Sequence, residues 1–256
     1  MDIAISTLLA SICGIIGNIV SFMVYLSPMP TFFNIYRRRS TESYHSFPYA
    51  IAHFSAMLYL YYAILKKENG TVLISINSFG VVIETVYLII YLIYATPASK
   101  VVLTKWIFLA LNLGVFGLII LITMLAFEGT ARTKAAGWIC ASVSVAVFAS
   151  PLSIMYQVIR TKSVRYMPLM LSVMLTVCAV VWFFYGFLIH DYFIAFPNVL
   201  GFVLSIAQIA LYACYRNHPE QNAEQELPTV VHPVVNKDEP LDAKSDTSHR
   251  HRRSRE

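Results

Sequence analysis

Residues 25–40 read YLSPMPTFFNIYRRRS, and residues 148–163 read FASPLSIMYQVIRTKS. A displacement of 123 positions lays Ser27-Pro28 on Ser150-Pro151, Arg37 on Arg160, and Arg39-Ser40 on Lys162-Ser163. Farther on, YLYYA from Tyr59 falls on WFFYG from Trp182. With a change of two in the offset, NSFG from Asn77 falls on NVLG from Asn198. One unit therefore occurs twice, and a repeat fixes the architecture before any local pattern does.

The surroundings of the two copies say what the unit is made of. The 256-residue chain is 57% hydrophobic and only 13% charged, whereas an average soluble domain is about 25% charged. Seven long apolar stretches fill most of it: 3–27, 44–65, 72–96, 103–127, 135–159, 166–189 and 192–215. A bilayer core about 30 Å thick takes roughly 20 apolar residues as a helix. In hydrocarbon the backbone must bond within its own segment, and these runs lack the alternation of a barrel strand, so helices are expected. The first stretch has no basic leader and its apolar run is long for a signal peptide, so it is expected to remain as a span. Spans 1–3 then repeat as spans 5–7, and span 4 has no counterpart. An unpaired span returns the second unit to the orientation of the first, so the two triplets are related by an axis along the membrane normal. The expected fold is all-α: a three-helix bundle over 3–96, a linker helix over 103–127, and a second three-helix bundle over 135–215.

Charge sets the expected orientation. With the N-terminus outside, the inner loops and the start of the tail carry Arg37, Arg38, Arg39, Lys100, Lys105, Arg160, Lys162, Arg165 and Arg216, against Lys66, Lys67, Arg132 and Lys134 outside. The excess of positive charge on one side predicts an N-terminus outside and a C-terminus in the cytosol. Residues 216–256 are polar and proline-bearing and are expected to form a disordered cytosolic tail, with Ser254 behind Arg252 and Arg253 as a candidate phosphosite. The net charge of +5 divides into +7 on the membrane part and −2 on the tail, which excludes a nucleic-acid surface. Cys13, Cys140, Cys178 and Cys214 lie in apolar runs without metal-ligand spacing. No nucleophile–base set, phosphate loop or dinucleotide fingerprint occurs, so neither an enzyme nor a cofactor is expected.

The motifs GNIVSFMVYLSPMPTF, SINSFGVVIETVY, FASPLSIM, TKSVRYMP and AFPNVLG, covering residues from about 10 to 215, together resemble the SWEET family of plant sugar transporters. Parallel triplets with a linker are that family's known arrangement. The resemblance implies facilitated, uncoupled and bidirectional movement of sugar by alternating access. Within the family the pocket residues look most like the sucrose-preferring branch, which implies sucrose, with glucose and other hexoses as further candidates, a plasma-membrane location, and a homo-oligomer in the bilayer.

Residues for such a role are legible. Asn77 and Asn198 occupy matching positions. An amide offers two donors and an acceptor, which suits sugar hydroxyls, although an interhelical bond is the plainer use. Trp182 offers a face for the C–H side of a sugar ring. Its counterpart is Tyr59, where the sucrose branch usually has tryptophan. The resemblance adds Ser21, Val24, Ser55, Ser144, Val147 and Cys178 as pocket residues, with close helix packing as the alternative for each. It assigns Pro28, Pro48, Pro151 and Pro168 to an inner gate, since a proline frees a carbonyl and bends its helix. It assigns Tyr62 and Asp191 to an outer gate. Glu84, the one carboxylate within a span, is expected to be structural and hydrogen-bonded, with His53 the other titratable candidate. Two further readings fit seven spans. A seven-span receptor needs no tandem halves. A proton-coupled exporter of the PQ-loop type would carry glutamine after the key proline, where Met29 and Leu152 stand, and a relay of acids.

Overall fold

The computed structural model describes residues 3–41, 44–66, 68–147, 149–164, 167 and 169–216. Ten α-helices run in order: α1 Ile3–Leu26, α2 Met29–Arg38, α3 Phe47–Leu65, α4 Thr71–Tyr94, α5 Ala98–Phe108, α6 Phe116–Ala126, α7 Gly129–Val147, α8 Ala149–Thr161, α9 Leu169–Leu188 and α10 Tyr192–Tyr215. A π-helical segment, Leu109–Val115, joins α5 to α6. Among the described residues, six helical runs are long and apolar enough to cross a bilayer, among them Ala4–Arg38, Ala98–Ala126 and Gly129–Thr161. The seventh, α3, carries His53 and four tyrosines, and these lower its hydropathy because most of its surface faces other helices.

Two of the expected spans are each divided into two helices. The helix of span 1 passes Pro28 and continues as α2, and that of span 5 carries Pro151 in the first turn of α8. Proline has no N–H for the preceding turn. At the first bend the carbonyl of Tyr25 accepts a hydrogen bond from the Tyr87 hydroxyl at 3.0 Å, so the break in the ladder is partly satisfied from α4. The tail beyond 216, with Ser254, and Pro168 lie outside the described residues.

In each triplet the third helix is central: α4 lies between α1 and α3, and α10 between α7 and α9. The triplets meet at two seams, α1 on α9 and α3 on α7. The duplication is visible in detail. Arg39, with a left-handed φ of 54°, donates to the Tyr94 hydroxyl at 2.7 Å, and Lys162, with φ 56°, donates to the Tyr215 hydroxyl at 3.3 Å. Both pairs follow the offsets of 123 and 121 read from the sequence. The chain begins at one face of the bundle, here the N-face, and α10 ends at the other, the C-face.

The linker is fastened to α3 by polar rungs: Ser46 to Thr104 at 2.6 Å, His53 Nδ1 to Asn112 at 2.8 Å, and Tyr61 to Thr123 at 2.7 Å. Between the first and last rungs α3 advances 15 residues and the linker 19, and the wide π turn takes up part of the excess. Arg132 caps the end of α6 through the carbonyls of Thr123, Met124 and Phe127. The polarity of the molecule is inverted relative to a soluble domain. Ile5, Leu8, Ile15, Leu113, Leu125 and Met170 are exposed, while Ser21, His53, Asn77, Glu84, Thr104 and Asn112 are buried. Such an apolar surface suits hydrocarbon, where inward polar groups must find partners or a wet cavity.

Candidate functional site

A cavity of about 340 Å³ lies between the two triplets. Its wall is built from both copies of the repeat: Ser21 and Tyr25 of α1, Ser55 and Tyr59 of α3, Leu73, Ile76 and Asn77 of α4, Ser144 and Val147 of α7, Cys178 and Trp182 of α9, and Pro197 and Asn198 of α10. Of the candidate contact residues named from the sequence, Val24, half-exposed, is the one that does not line it.

The two asparagines adopt the same geometry. Asn77 Nδ2 donates to the Leu73 carbonyl at 2.9 Å, and Asn198 Nδ2 to the Ile194 carbonyl at 2.7 Å. Each bond reaches back one turn and fixes the amide. One N–H and the amide oxygen of each remain for a ligand, an acceptor and a donor offered from each half.

The aromatic pair is also matched. Trp182 Nε1 donates to Ser21 Oγ at 2.8 Å, across the α1–α9 seam. Tyr59 shares a hydrogen bond with Ser144 Oγ at 2.7 Å, across the α3–α7 seam. The tyrosine hydroxyl thus does at one seam what the indole N–H does at the other, so the departure from tryptophan keeps the bridge. These bonds engage the hydroxyls of Ser21 and Ser144, both of which line the cavity. Their hydroxyls join the triplets at cavity depth, and Ser21 further meets Cys178 Sγ at 3.3 Å. Tyr61 and Tyr62 are buried as well.

Toward the N-face the seams are closed by a second set of contacts. The Tyr62 hydroxyl donates to Asp191 Oδ2 at 2.7 Å, and Lys66 Nζ pairs with the same oxygen. Asp191 Oδ1 is buried and has no partner among the described residues. At the other seam Tyr185, the repeat counterpart of Tyr62, donates to the Asn69 carbonyl at 3.0 Å. Lys66 is the member of this cluster that the sequence reading placed in a loop without a task. It ends α3, its backbone N–H bonding the Tyr62 carbonyl one turn back at 3.2 Å, which sets it beside Tyr62.

The prolines are dispersed by local role. Pro28 stands at the α1–α2 bend, Pro151 in the first turn of α8, and Pro48 in the first turn of α3, exposed. Proline suits a first turn, where the amide has no partner to lose, so Pro48 sits where it starts a helix. Glu84 is buried on α4, two turns from Asn77, and its Oε2 has no partner among the described residues, whereas a structural, hydrogen-bonded carboxyl is expected from the sequence. Among the described residues no group of His, Cys, Asp and Glu is placed to hold a metal ion, and all four cysteines are free thiols.

Four lining residues were not singled out in the sequence. Tyr25 follows Ser21 by four and shares its face. Leu73 precedes Asn77 by four. Ile76 and Pro197 immediately precede the two asparagines. Tyr25 is held against α4 because position 80 is glycine: a Cβ there would lie 2.5 Å from the Tyr25 hydroxyl.

Comparison with known proteins agrees with this architecture. The chain matches the family described as "Sugar efflux transporter for intercellular exchange" twice, over residues 11–99 and 134–220, one match per triplet. It is 52% identical over 220 residues to the bidirectional sugar transporter NEC1 of Petunia hybrida, covering 86% of this chain and 82% of that one. It is 50% identical over 225 residues to the bidirectional sugar transporter N3 of Medicago truncatula, covering 88% and 83%. Among solved structures, a eukaryotic SWEET transporter superposes with a TM-score of 0.79 at 29% identity, over 84% of this chain and 100% of the other.

Proposed function

Since this chain belongs to the SWEET family of sugar transporters, a multi-pass membrane protein with two parallel triplets and a linker, we propose that it is a bidirectional, uncoupled carrier of sucrose and hexoses that works by alternating access. The observation that carries the proposal is the cavity between the triplets with a twofold-related asparagine in each wall. A neutral, hydroxyl-rich ligand fits amides whose remaining donors and acceptors are free, between the rings of Tyr59 and Trp182 and beside the short side chain of Val147. Ser21, Ser55, Ser144 and Cys178 leave room and add weak polar contacts. Val24 is left out of the proposed contact set.

In this reading the N-face is extracellular and the C-face cytosolic, as the distribution of Lys and Arg favours, and the membrane is the plasma membrane. The conformation described has the outer gate shut by Tyr62, Lys66 and Asp191, while the Tyr59–Ser144 and Trp182–Ser21 bridges mark the level about which the triplets rock. Pro28 and Pro151, at equivalent bends, are the inner hinge points; Pro48 is assigned helix initiation instead. Proton coupling would call for a relay of intramembrane acids, and Glu84 is the one carboxylate within the sequence's apolar spans, which favours transport driven by the sugar gradient alone.

Purified protein in proteoliposomes, preloaded in parallel with labelled sucrose or glucose, tests this. Both sugars should leave down their gradients, carry no current, and move at the same rate with or without a pH gradient. Asn198→Ala, reconstituted in equal amount, should lose most of the flux. Flux that needs a proton gradient, or that survives Asn198→Ala unchanged, would overturn the mechanism or the site respectively.

A further inference from the structure

A second cavity, of about 360 Å³, opens at the N-face where the ends of α1, α4 and α9 meet. It shares no lining residue with the central cavity. Its α1 wall is Ser6, Thr7, Ala10 and Ser11, a small polar face on a helix whose Ile5, Leu8, Leu9 and Ile12 point outward and are exposed. Thr71 and His190 add further hydroxyl and imidazole groups, Tyr185 adds a ring, and among the described residues no Asp, Glu, Lys or Arg lines the space.

The repeat explains why the space exists. Gly14 and Gly137 are equivalent, as are Val72 and Phe193. At the α3–α7 seam Phe193 covers Gly137 so closely that a Cβ there would lie 2.5 Å from the ring, and Lys66, Asp191 and Tyr62 fill the remainder. At the α1–α9 seam the corresponding cover is Val72, 2.9 Å from a Cβ on Gly14. A branched three-carbon side chain replaces a phenyl ring, no ion pair follows among the described residues, and the room is left lined with hydroxyls. Tyr185 is the partition. Its hydroxyl is held by the Asn69 carbonyl, and its ring meets Trp182 of the central cavity edge-on at 5.4 Å and 86°.

We propose that this pocket is a second binding site, taking a neutral polyhydroxylated solute, the transported sugar, at the N-face before Tyr185 yields and admits it to the central cavity. The inference rests on the sugar-transport reading. Uncharged walls select against ions, hydroxyl oxygens can accept from a sugar, that of Ser11 among them since its proton goes to the Thr7 carbonyl at 2.9 Å, and the Tyr185 ring supplies an apolar platform for C–H groups.

The test uses the full chain with its four native cysteines replaced by alanine and a single probe, Ser11→Cys, with Thr7→Cys as a second position should the first not react. A membrane-impermeant maleimide is applied at the N-face in sucrose, glucose or salt of equal osmolality. Sugar should slow labelling severalfold and saturably, and should do so equally when Asn198→Ala disables the central site. Val72→Phe, which copies the cover of the other seam, should abolish the protection and raise severalfold the sugar concentration that half-saturates entry from that face. Labelling unaffected by sugar, protection lost with Asn198→Ala, or an unchanged half-saturation in Val72→Phe would each overturn the second site. Absence of flux from the unmodified carrier would instead overturn the transport reading.

Discussion

The contact between Tyr62 and Asp191 offers the sharpest test of the gating geometry. Removing one hydroxyl in Tyr62→Phe keeps the ring, which packs edge-on against Phe193 at 6.1 Å, and deletes a 2.7 Å hydrogen bond to a buried carboxylate. Hydrogen bonds to charged groups contribute about 1.5–3 kcal/mol. Burial favours the upper part of that range, and the ion pair of the same oxygen with Lys66 favours the lower, because it survives the substitution. The bond exists only while the seam is closed, so its loss shifts the closed–open equilibrium by roughly 10- to 150-fold, at about 1.4 kcal/mol per decade. Cys178 lines the central cavity and reports that equilibrium. In a chain with its other three cysteines replaced by alanine, the rate at which a membrane-impermeant maleimide reaches Cys178 from the N-face should rise by a factor in that range. Asp191→Asn should also raise it, and the double variant should exceed neither single effect by much, since both act on one cluster. A wild-type labelling rate in Tyr62→Phe, with the protein folded and inserted, would show that this bond does not hold the seam shut.

Three other outcomes follow from the cavity wall and its supports. Val147→Leu adds a methylene to the central wall, and a pocket discriminates one methylene by about 1–3 kcal/mol; sucrose flux should fall well beyond glucose flux in parallel efflux assays, and equal losses would remove the volume filter. Gly80→Ala places a Cβ 2.5 Å from the Tyr25 hydroxyl and drives that ring toward the cavity, so flux of both sugars should fall at least about tenfold, the overpacking itself being limited to about 1–3 kcal/mol. Tyr87→Phe deletes the bond to the Tyr25 carbonyl at the α1–α2 bend, worth about 1 kcal/mol, and should lower the thermal midpoint in detergent slightly while leaving sucrose–glucose selectivity unchanged.

Much of this molecule is written one-dimensionally. The repeat, the number of apolar stretches and the parallel relation of the halves follow from identity at offsets of 123 and 121 and from the length of helix a bilayer demands, and the Arg39–Tyr94 and Lys162–Tyr215 pairs display the same symmetry in space. Asn77, Asn198, Tyr59 and Trp182 were readable because a polar or large amphipathic side chain duplicated within hydrocarbon needs a partner or a ligand. The sequence could not give the partners, because they lie across the seams between helices far apart in the chain. That Ser21 and Ser144 bridge to aromatic heads, that Val24 stands outside the cavity lining, and that Lys66 joins Asp191 depend on helix rotation and on which helix is central. The linker's three rungs to α3 and the π turn between them likewise come from packing. Periodicity assigns a residue to a helix and a depth, and contact between separate helices decides its neighbour.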